Sequence, residues 1–402
     1  MNLLIFALAA AVTLPGLYLR LSGQVHPFAS PLNAAIFGAA VVGAAFILSW
    51  AAEAAEMDIS QGLAIAFLAL IAVLPEYAVD MYLAWQAGLF AAASPGETNT
   101  YASLATANMT GANRLLIGVA WSMIVFLYWW RFRQRAVEIR EGLSVEIVFL
   151  TLATAYAFIV PWKGSLTLLD TLVFVALFVA YISIIARAEA EEPELVGPAL
   201  TLGMMPAIQR RLAVLVLFLF AAAVILASAE PFAENLISTG KQFGVSEFFL
   251  IQWLAPLASE APEVIVAFLF AWRGHAVKGL AALISSKVNQ WTLLVGTLPV
   301  VYSAGLGGLG ALPLDSHQIE EIVLTAAQSA FAIAILANLR VTLREATLLF
   351  VLFSTQLVFT DPTIRWVYVG IYLALTVVVL MADRSRLGNI VQVFVRALKQ
   401  GR

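Results

Sequence analysis

Apolar residues run along this chain in stretches of about 20, the length that crosses a hydrocarbon core of roughly 30 Å at about 1.5 Å per helical residue. Twelve such runs follow one another: Asn2 to Arg20, Asn33 to Glu56, Gln61 to Gln86, Tyr101 to Trp130, Val145 to Trp162, Ser165 to Arg187, Leu212 to Leu236, Val245 to Trp272, Val277 to Tyr302, Ile319 to Leu339, Arg344 to Thr360 and Ile364 to Asp383. Several exceed the minimum and hold Pro, Gly or polar residues near their middles, which predicts tilted or broken helices.

Composition narrows the class. Of 402 residues, 62% are hydrophobic and 12% charged, and the mean hydropathy is +0.92, whereas about a quarter of the residues in a soluble domain are charged. The chain reads as an all-α polytopic membrane protein, because an open strand would leave backbone donors and acceptors unpaired in lipid. Cysteine is absent, which excludes disulfides, thiolate metal sites and cysteine nucleophiles. The net charge of -3 says little; the placement of the basic residues says more. With the N-terminus inside, 16 Lys and Arg fall on the cytoplasmic side and 4 (Arg20, Lys163, Lys241, Arg365) on the other, leaving Arg114 and Lys287 within spans. This bias predicts that both termini are cytoplasmic. The first run lacks the basic leader and cleavage site of a signal peptide and is expected to be a retained span. With the short central loop, this points to a prokaryotic inner membrane.

One unit occurs twice. Pro75-Glu76 is followed by Ala84-Trp85 at the same distance as Pro262-Glu263 by Ala271-Trp272, and the next span of each copy ends in Leu115-Leu116-Ile117-Gly118 or Leu293-Leu294-Val295-Gly296. The copies start on spans two and seven, so they enter the membrane from opposite sides. Such inverted repeats build a site near the midplane where the halves meet, worked by alternating access. The predicted organisation is an extra helix and loop (1–32), a first five-helix repeat (33–187), a cytoplasmic linker (188–210), a second five-helix repeat (211–360), and an extra helix with an amphipathic surface tail (361–402).

The chemistry lies in the intramembrane charges. An ionisable side chain at that depth costs at least about 3 kcal/mol and marks an ion or proton path. Glu76 and Asp80 are four apart, Glu260 and Glu263 three apart, so each pair shares a helix face. Pro75 and Pro262 each free a carbonyl about a turn earlier. Carboxylates with free carbonyls make an all-oxygen site suited to hard cations such as Ca²⁺ and Na⁺. Four carboxylates against Arg114 and Lys287 leave a net charge of -2, matching one divalent or two monovalent ions. Lys287 is the candidate for a charge-compensating or proton-linked group, because buried lysines shift their pKa readily. Glu53, Glu56, Asp58, Glu230 and Glu234 lie near span ends and are expected to be solvated. Trp85 and Trp272 are expected to anchor the interface. His26, His275 and His317 are expected in loops.

These two stretches resemble the repeats of the cation/calcium exchanger superfamily, which includes sodium/calcium and calcium/proton antiporters. In that family each repeat carries a Ser-x-Pro-Glu type motif and then a Gly-Ser-Asn type motif, and the two glutamates bind the transported ions. The resemblance implies Glu76 and Glu263 as ion ligands and Ser286 as the family serine, with Gln290 four residues on. In the first copy Asn108 matches Ser286 when the trailing Leu-Leu-x-Gly runs are aligned, and Asn113 competes in another frame. The chain departs from the pattern at Val73 and Glu260, where the hydroxyl before each proline is missing, and at Lys287, which replaces an asparagine.

The implied function is a secondary-active antiporter exchanging Ca²⁺ for Na⁺ or H⁺. Its partners are the bilayer and the cations, with no cofactor and no nucleic acid, and the oligomeric state stays open. A Na⁺/H⁺ antiporter using Lys287 is the alternative. A passive channel is a weaker one, because it needs no paired central glutamates. A membrane hydrolase is disfavoured by the lack of a His-Glu-x-x-His run or a serine near histidine.

Overall fold

The computed structural model describes residues 2–55, 57–58, 74–139, 143–186, 195–359 and 361–382. The early part of the third apolar run, Glu189 to Glu194 of the linker and the amphipathic tail lie outside the described residues. The helices are α1 (Asn2–Leu21), α2 (Ser30–Ala55), α3 (Leu74–Ala93), α4 (Thr100–Leu115), α5 (Ser122–Phe132), α6 (Ser144–Ala157), the short α7 (Val160–Lys163), α8 (Leu168–Ile185), α9 (Pro198–Gly203), α10 (Ala207–Phe243), α11 (Glu247–Trp272), α12 (Ala276–Asn289), α13 (Val295–Leu306), α14 (Ser316–Leu336), α15 (Leu343–Val358) and α16 (Pro362–Ala382). Among the described residues, 9 helical stretches are long and apolar enough to cross a membrane. The chain is an all-α polytopic membrane protein.

Local chemistry sets the helix ends. Thr167 with Asp170, Asp315 with Gln318 and Thr342 with Glu345 form reciprocal capping boxes at the starts of α8, α14 and α15, satisfying orphan N–H groups where no helical partner exists. Gly164, Gly244 and Gly307 end α7, α10 and α13 in the left-handed region, which glycine enters without steric cost. Extended links at the span ends pair with each other: β1 (Ala136–Glu138) runs antiparallel to β4 (Arg340–Thr342), and β2 (Ser165–Leu166) to β3 (Leu312–Pro313). These short ladders satisfy backbone groups that neither helix nor lipid can.

Two compact units emerge, each built from both halves of the sequence. The first holds residues 1–83 and 188–263, the second residues 84–187 and 264–402. The chain passes from one to the other within α3 and within α11, the two helices that carry the Pro-Glu pairs.

In the first unit α2 packs along α10 and α1, with Phe37, Val41, Ala44, Ile47 and Leu48 of α2 fully or almost fully buried. The linker is not wholly a solvated loop. Pro198, Ala199, Leu202 and Gly203 of α9 are buried, and α10 begins at Ala207, before the predicted start at Leu212, because Arg210 has a partner. It makes two hydrogen bonds to Asp58, at 2.5 and 2.8 Å, and Arg211 adds one at 3.0 Å. The hydrogen bond from Arg210, helped by Arg211, holds the Asp58 carboxyl below its ordinary range. Other acids expected to be solvated are engaged as well: Glu230 pairs with Arg20 at 2.6 Å, and Glu234 accepts from the Tyr82 hydroxyl at 2.5 Å.

In the second unit α3 and α13 approach closely through small residues. A Cβ on Gly88 would collide with the Tyr302 carbonyl, and one on Gly305 with the Trp85 carbonyl. Small residues let membrane helices approach this closely. At Gly118 the Phe353 ring fills the missing side chain's place, locking α15 against the segment that joins α4 to α5.

Two predictions follow from this packing. Gly305→Leu is expected to lower thermal stability in detergent by about 2 kcal/mol through overpacking, while Gly308→Leu, which meets nothing within 4 Å, leaves it unchanged. Because the folded-state pKa of Asp58 is depressed, its stabilisation is present above the unfolded value and lost as pH falls through the folded one. Melting curves between pH 7 and pH 3 are therefore expected to show the wild type losing its advantage over Asp58→Asn as pH falls.

Candidate cation and charge-compensation sites

The four predicted carboxylates all lie in the first unit. Glu76 and Asp80 are one turn apart at the start of α3, 2% and 0% exposed. Pro75 lies in the first turn described of that helix, and the carbonyl it was expected to free belongs to the residues not described. Glu260 and Glu263 sit inside α11, where Pro262 withholds the N–H that would otherwise reach the Ala258 carbonyl. Glu260 is 4% exposed, and the Oε2 of Glu263 is buried with no hydrogen-bond partner among the described residues. Ser259, beside the position where the family hydroxyl is missing, instead donates back to the Ala255 carbonyl at 3.1 Å. Among the described residues no three acidic or histidine side chains form a metal cage; the acids come as helix-face pairs.

The remaining candidates belong to the second unit, where α4 and α12 carry them. Lys287 is fully buried. Its Nζ donates to the Asn113 Oδ1 at 2.6 Å and to the Asn113 carbonyl at 3.2 Å, and it lies 4.5 Å from the centre of the Trp291 ring. A dipole pair and an aromatic face thus solvate the ammonium. Asn113 is committed to this task, since its Nδ2 also donates to the Met109 carbonyl at 2.8 Å. Asn108 is different: it is 1% exposed, and neither amide atom has a hydrogen-bond partner among the described residues. Ser285 is taken by the Tyr181 hydroxyl at 2.5 Å, whereas no hydrogen bond involves the Ser286 side chain among the described residues.

Gln290 opens a π-helical turn, Gln290–Leu294, between α12 and α13. A second one, Leu116–Trp121, joins α4 to α5. Each predicted span is therefore one continuous helix with a wide turn immediately after its polar residues. Such π-turns occur preferentially at functional sites, and here α4 packs on one and α12 on the other.

Arg114 enters an ion cluster that the sequence reading did not anticipate. It pairs with Glu321 of α14, and Arg365 of α16 pairs with the same carboxylate and lies 3.6 Å from Glu320. His317, 3.2 Å from Arg365 and 3.7 Å from Glu321, is in the first turn of α14 rather than in a loop. The helix reaches back to it because Asp315 caps it. Arg114, Glu320, Glu321 and Arg365 are all 5% exposed or less, and their formal charges cancel. Arg114 is thus balanced inside its own unit and drops out of the charge count made from the sequence. The signal available in the sequence was Glu320-Glu321 one turn into a span, with Arg365 at the start of another. Two further buried acids were also missed. Asp170 pairs with Lys163 and accepts from Tyr156, and Glu146, in the first turn of α6, is 8% exposed.

Comparison with known proteins places this architecture. The family profile described as "Sodium/calcium exchanger protein" matches residues 30–187 and 213–360. The chain resembles the crystal structure of the H⁺/Ca²⁺ exchanger CAX, with a TM-score of 0.93 and 45% identity over 99% of this chain and 98% of that one. It shares its fold with native YfkE, at a TM-score of 0.62 and 14% identity over 87% of this chain and 98% of the other. The same holds for the sodium-calcium exchanger NCX_Mj soaked with Na⁺ and Sr²⁺, at 0.52 and 16% over 88% and 99%. No curated protein sequence matches the chain. The chain belongs to the sodium/calcium exchanger family, within the cation/calcium exchanger superfamily.

Proposed function

We propose that this protein is a secondary-active antiporter that exchanges Ca²⁺ for H⁺ by alternating access. The observation that carries the reading is the duplicated Pro-Glu pair, Glu76 and Glu263, each with a buried carboxylate oxygen, on the two helices that run from one compact unit into the other. A buried carboxylate is tolerable in lipid when it holds a cation or a proton. Ca²⁺ bound by these oxygens displaces their protons, and protons reload them once Ca²⁺ leaves. Asp80 and Glu260 add oxygens on the same helix faces. Na⁺ is the less favoured counter-ion, because the hydroxyls expected before each proline are replaced by Val73 and Glu260. The 45% identity to an H⁺/Ca²⁺ exchanger supports the same choice.

In this reading Asn108, with its uncommitted amide, and Ser286 are neutral ion ligands, and Gln290 is a further one. Asn113 anchors Lys287, the charge-compensating group. Both termini face the cytoplasm of a prokaryotic cell.

Proteoliposomes test the reading. Radiolabelled Ca²⁺ uptake is expected under an outward H⁺ gradient and not under an outward Na⁺ gradient, and to fall to background in Glu76→Gln and Glu263→Gln. Internal pH responding to Na⁺, with no Ca²⁺ uptake, would overturn it in favour of Na⁺/H⁺ exchange.

The two asparagines should separate. Asn108→Ala is expected to weaken the apparent Ca²⁺ affinity about tenfold, the effect of roughly 1.4 kcal/mol, with melting unchanged. Asn113→Ala should lower stability by about 2 kcal/mol, because it strips a buried charged donor of its side-chain acceptor. Since the chain has no native cysteine, Gln134→Cys and Gly308→Cys report sidedness: an impermeant thiol reagent added to intact cells is expected to label the second and spare the first.

A further inference from the structure

A polar cavity of about 590 Å³ opens in the second unit, lined by Tyr128, Arg133, Gln134, Arg135, Ala136, Val137, Glu138, Val277 and Arg340. Its walls include three exposed arginines, Arg133, Arg135 and Arg340. None of the three has an ion pair or side-chain hydrogen bond among the described residues, so with Glu138 present the walls keep a formal charge of +2.

The backbone fixes this arrangement. Arg133 ends α5 in the left-handed region, with φ 58°. The β1–β4 ladder sets Glu138 opposite Arg340, and the Leu343 N–H donates to the Arg135 carbonyl at 2.8 Å. Val277 belongs to the first turn of α12, where the helix field favours an anion. A surface run of basic residues would normally be a solvated, topology-setting face; a concave pocket with uncompensated guanidiniums is a different object.

Depth in the membrane indicates the ligand. Trp130 and Trp272 pack with their rings tilted by 40° and 5.6 Å between centres, and the guanidinium of Arg131 lies 4.9 Å from the Trp272 centroid. Both tryptophans, like Phe132, are substantially exposed. Tryptophans at helix ends mark the headgroup level of a bilayer, and Arg133 follows Trp130 with only two residues between them. The geometry points to a binding site for a phosphate-ester anion at this pocket, supplied by the headgroup of an anionic phospholipid. Guanidinium suits phosphate through paired N–H donors, and membrane-surface attraction adds to each contact.

The test uses the full chain purified in detergent and titrated with short-chain phosphatidylglycerol, with phosphatidylcholine of equal chain length, and with inorganic phosphate, read by calorimetry. Saturable binding of phosphatidylglycerol is expected, weakened about fivefold for each arginine removed. The variants are Arg135→Gln alone and the triple Arg133→Asn, Arg135→Gln, Arg340→Gln; asparagine suits the left-handed φ at residue 133. Arg344→Gln, an exposed arginine outside the pocket, should bind as the wild type does. Inorganic phosphate competing at the same affinity would keep the anion site but overturn the lipid as its source. Equal binding of the two lipids, or full binding by the single and triple variants, would overturn the proposal.

Discussion

Burying charge where water is absent is the constraint on which the rest of this molecule depends. Each intramembrane ion must be matched by an opposite charge, a set of dipoles, or a transported ion or proton. The second unit uses the first two solutions side by side. Arg114 and Arg365 are balanced by Glu320 and Glu321, while Lys287 is solvated by Asn113 and the Trp291 ring. The carboxylates of α3 and α11 belong to the other unit, and on the proposed reading they take the third solution.

The same constraint acts on the backbone. Peptide groups released by Pro256 and Pro262 within α11, and by the π-turns after Asn289 and Leu115, stand beside the side chains with the most polar chemistry. Elsewhere the helix ends are closed by capping boxes, left-handed glycines and two short strand pairs. Irregular backbone at membrane depth is tolerated where protein or a water-filled cavity surrounds it, so these interruptions mark places where polar groups remain available.

Neighbouring residues with the same chemistry therefore hold different posts. Asn108 and Asn113 lie on one helix, five residues apart, yet one has an uncommitted amide and the other holds a lysine. Ser285 is bonded to Tyr181, whereas Ser286, its neighbour, is not committed to any such contact. Repeat alignment alone left the choice between the asparagines open, because it compares letters; hydrogen-bond geometry shows which of the two is tied to Lys287.

The membrane class, the helical fold and the family were legible in the sequence because they rest on local or additive properties: runs of about 20 apolar residues, and a Pro-Glu pair repeated with its Ala-Trp and Leu-Leu-x-Gly companions. The capping pairs Thr167 with Asp170 and Thr342 with Glu345 were equally local. What only the tertiary structure decided was who neutralises whom. Arg114 meets Glu321 across 207 residues, Lys287 meets Asn113 across 174, and Arg210 meets Asp58 across 152. Such pairings have no sequence period to betray them, since they are fixed by which helix faces pack together and by the cost of leaving a charge alone in a dry interior.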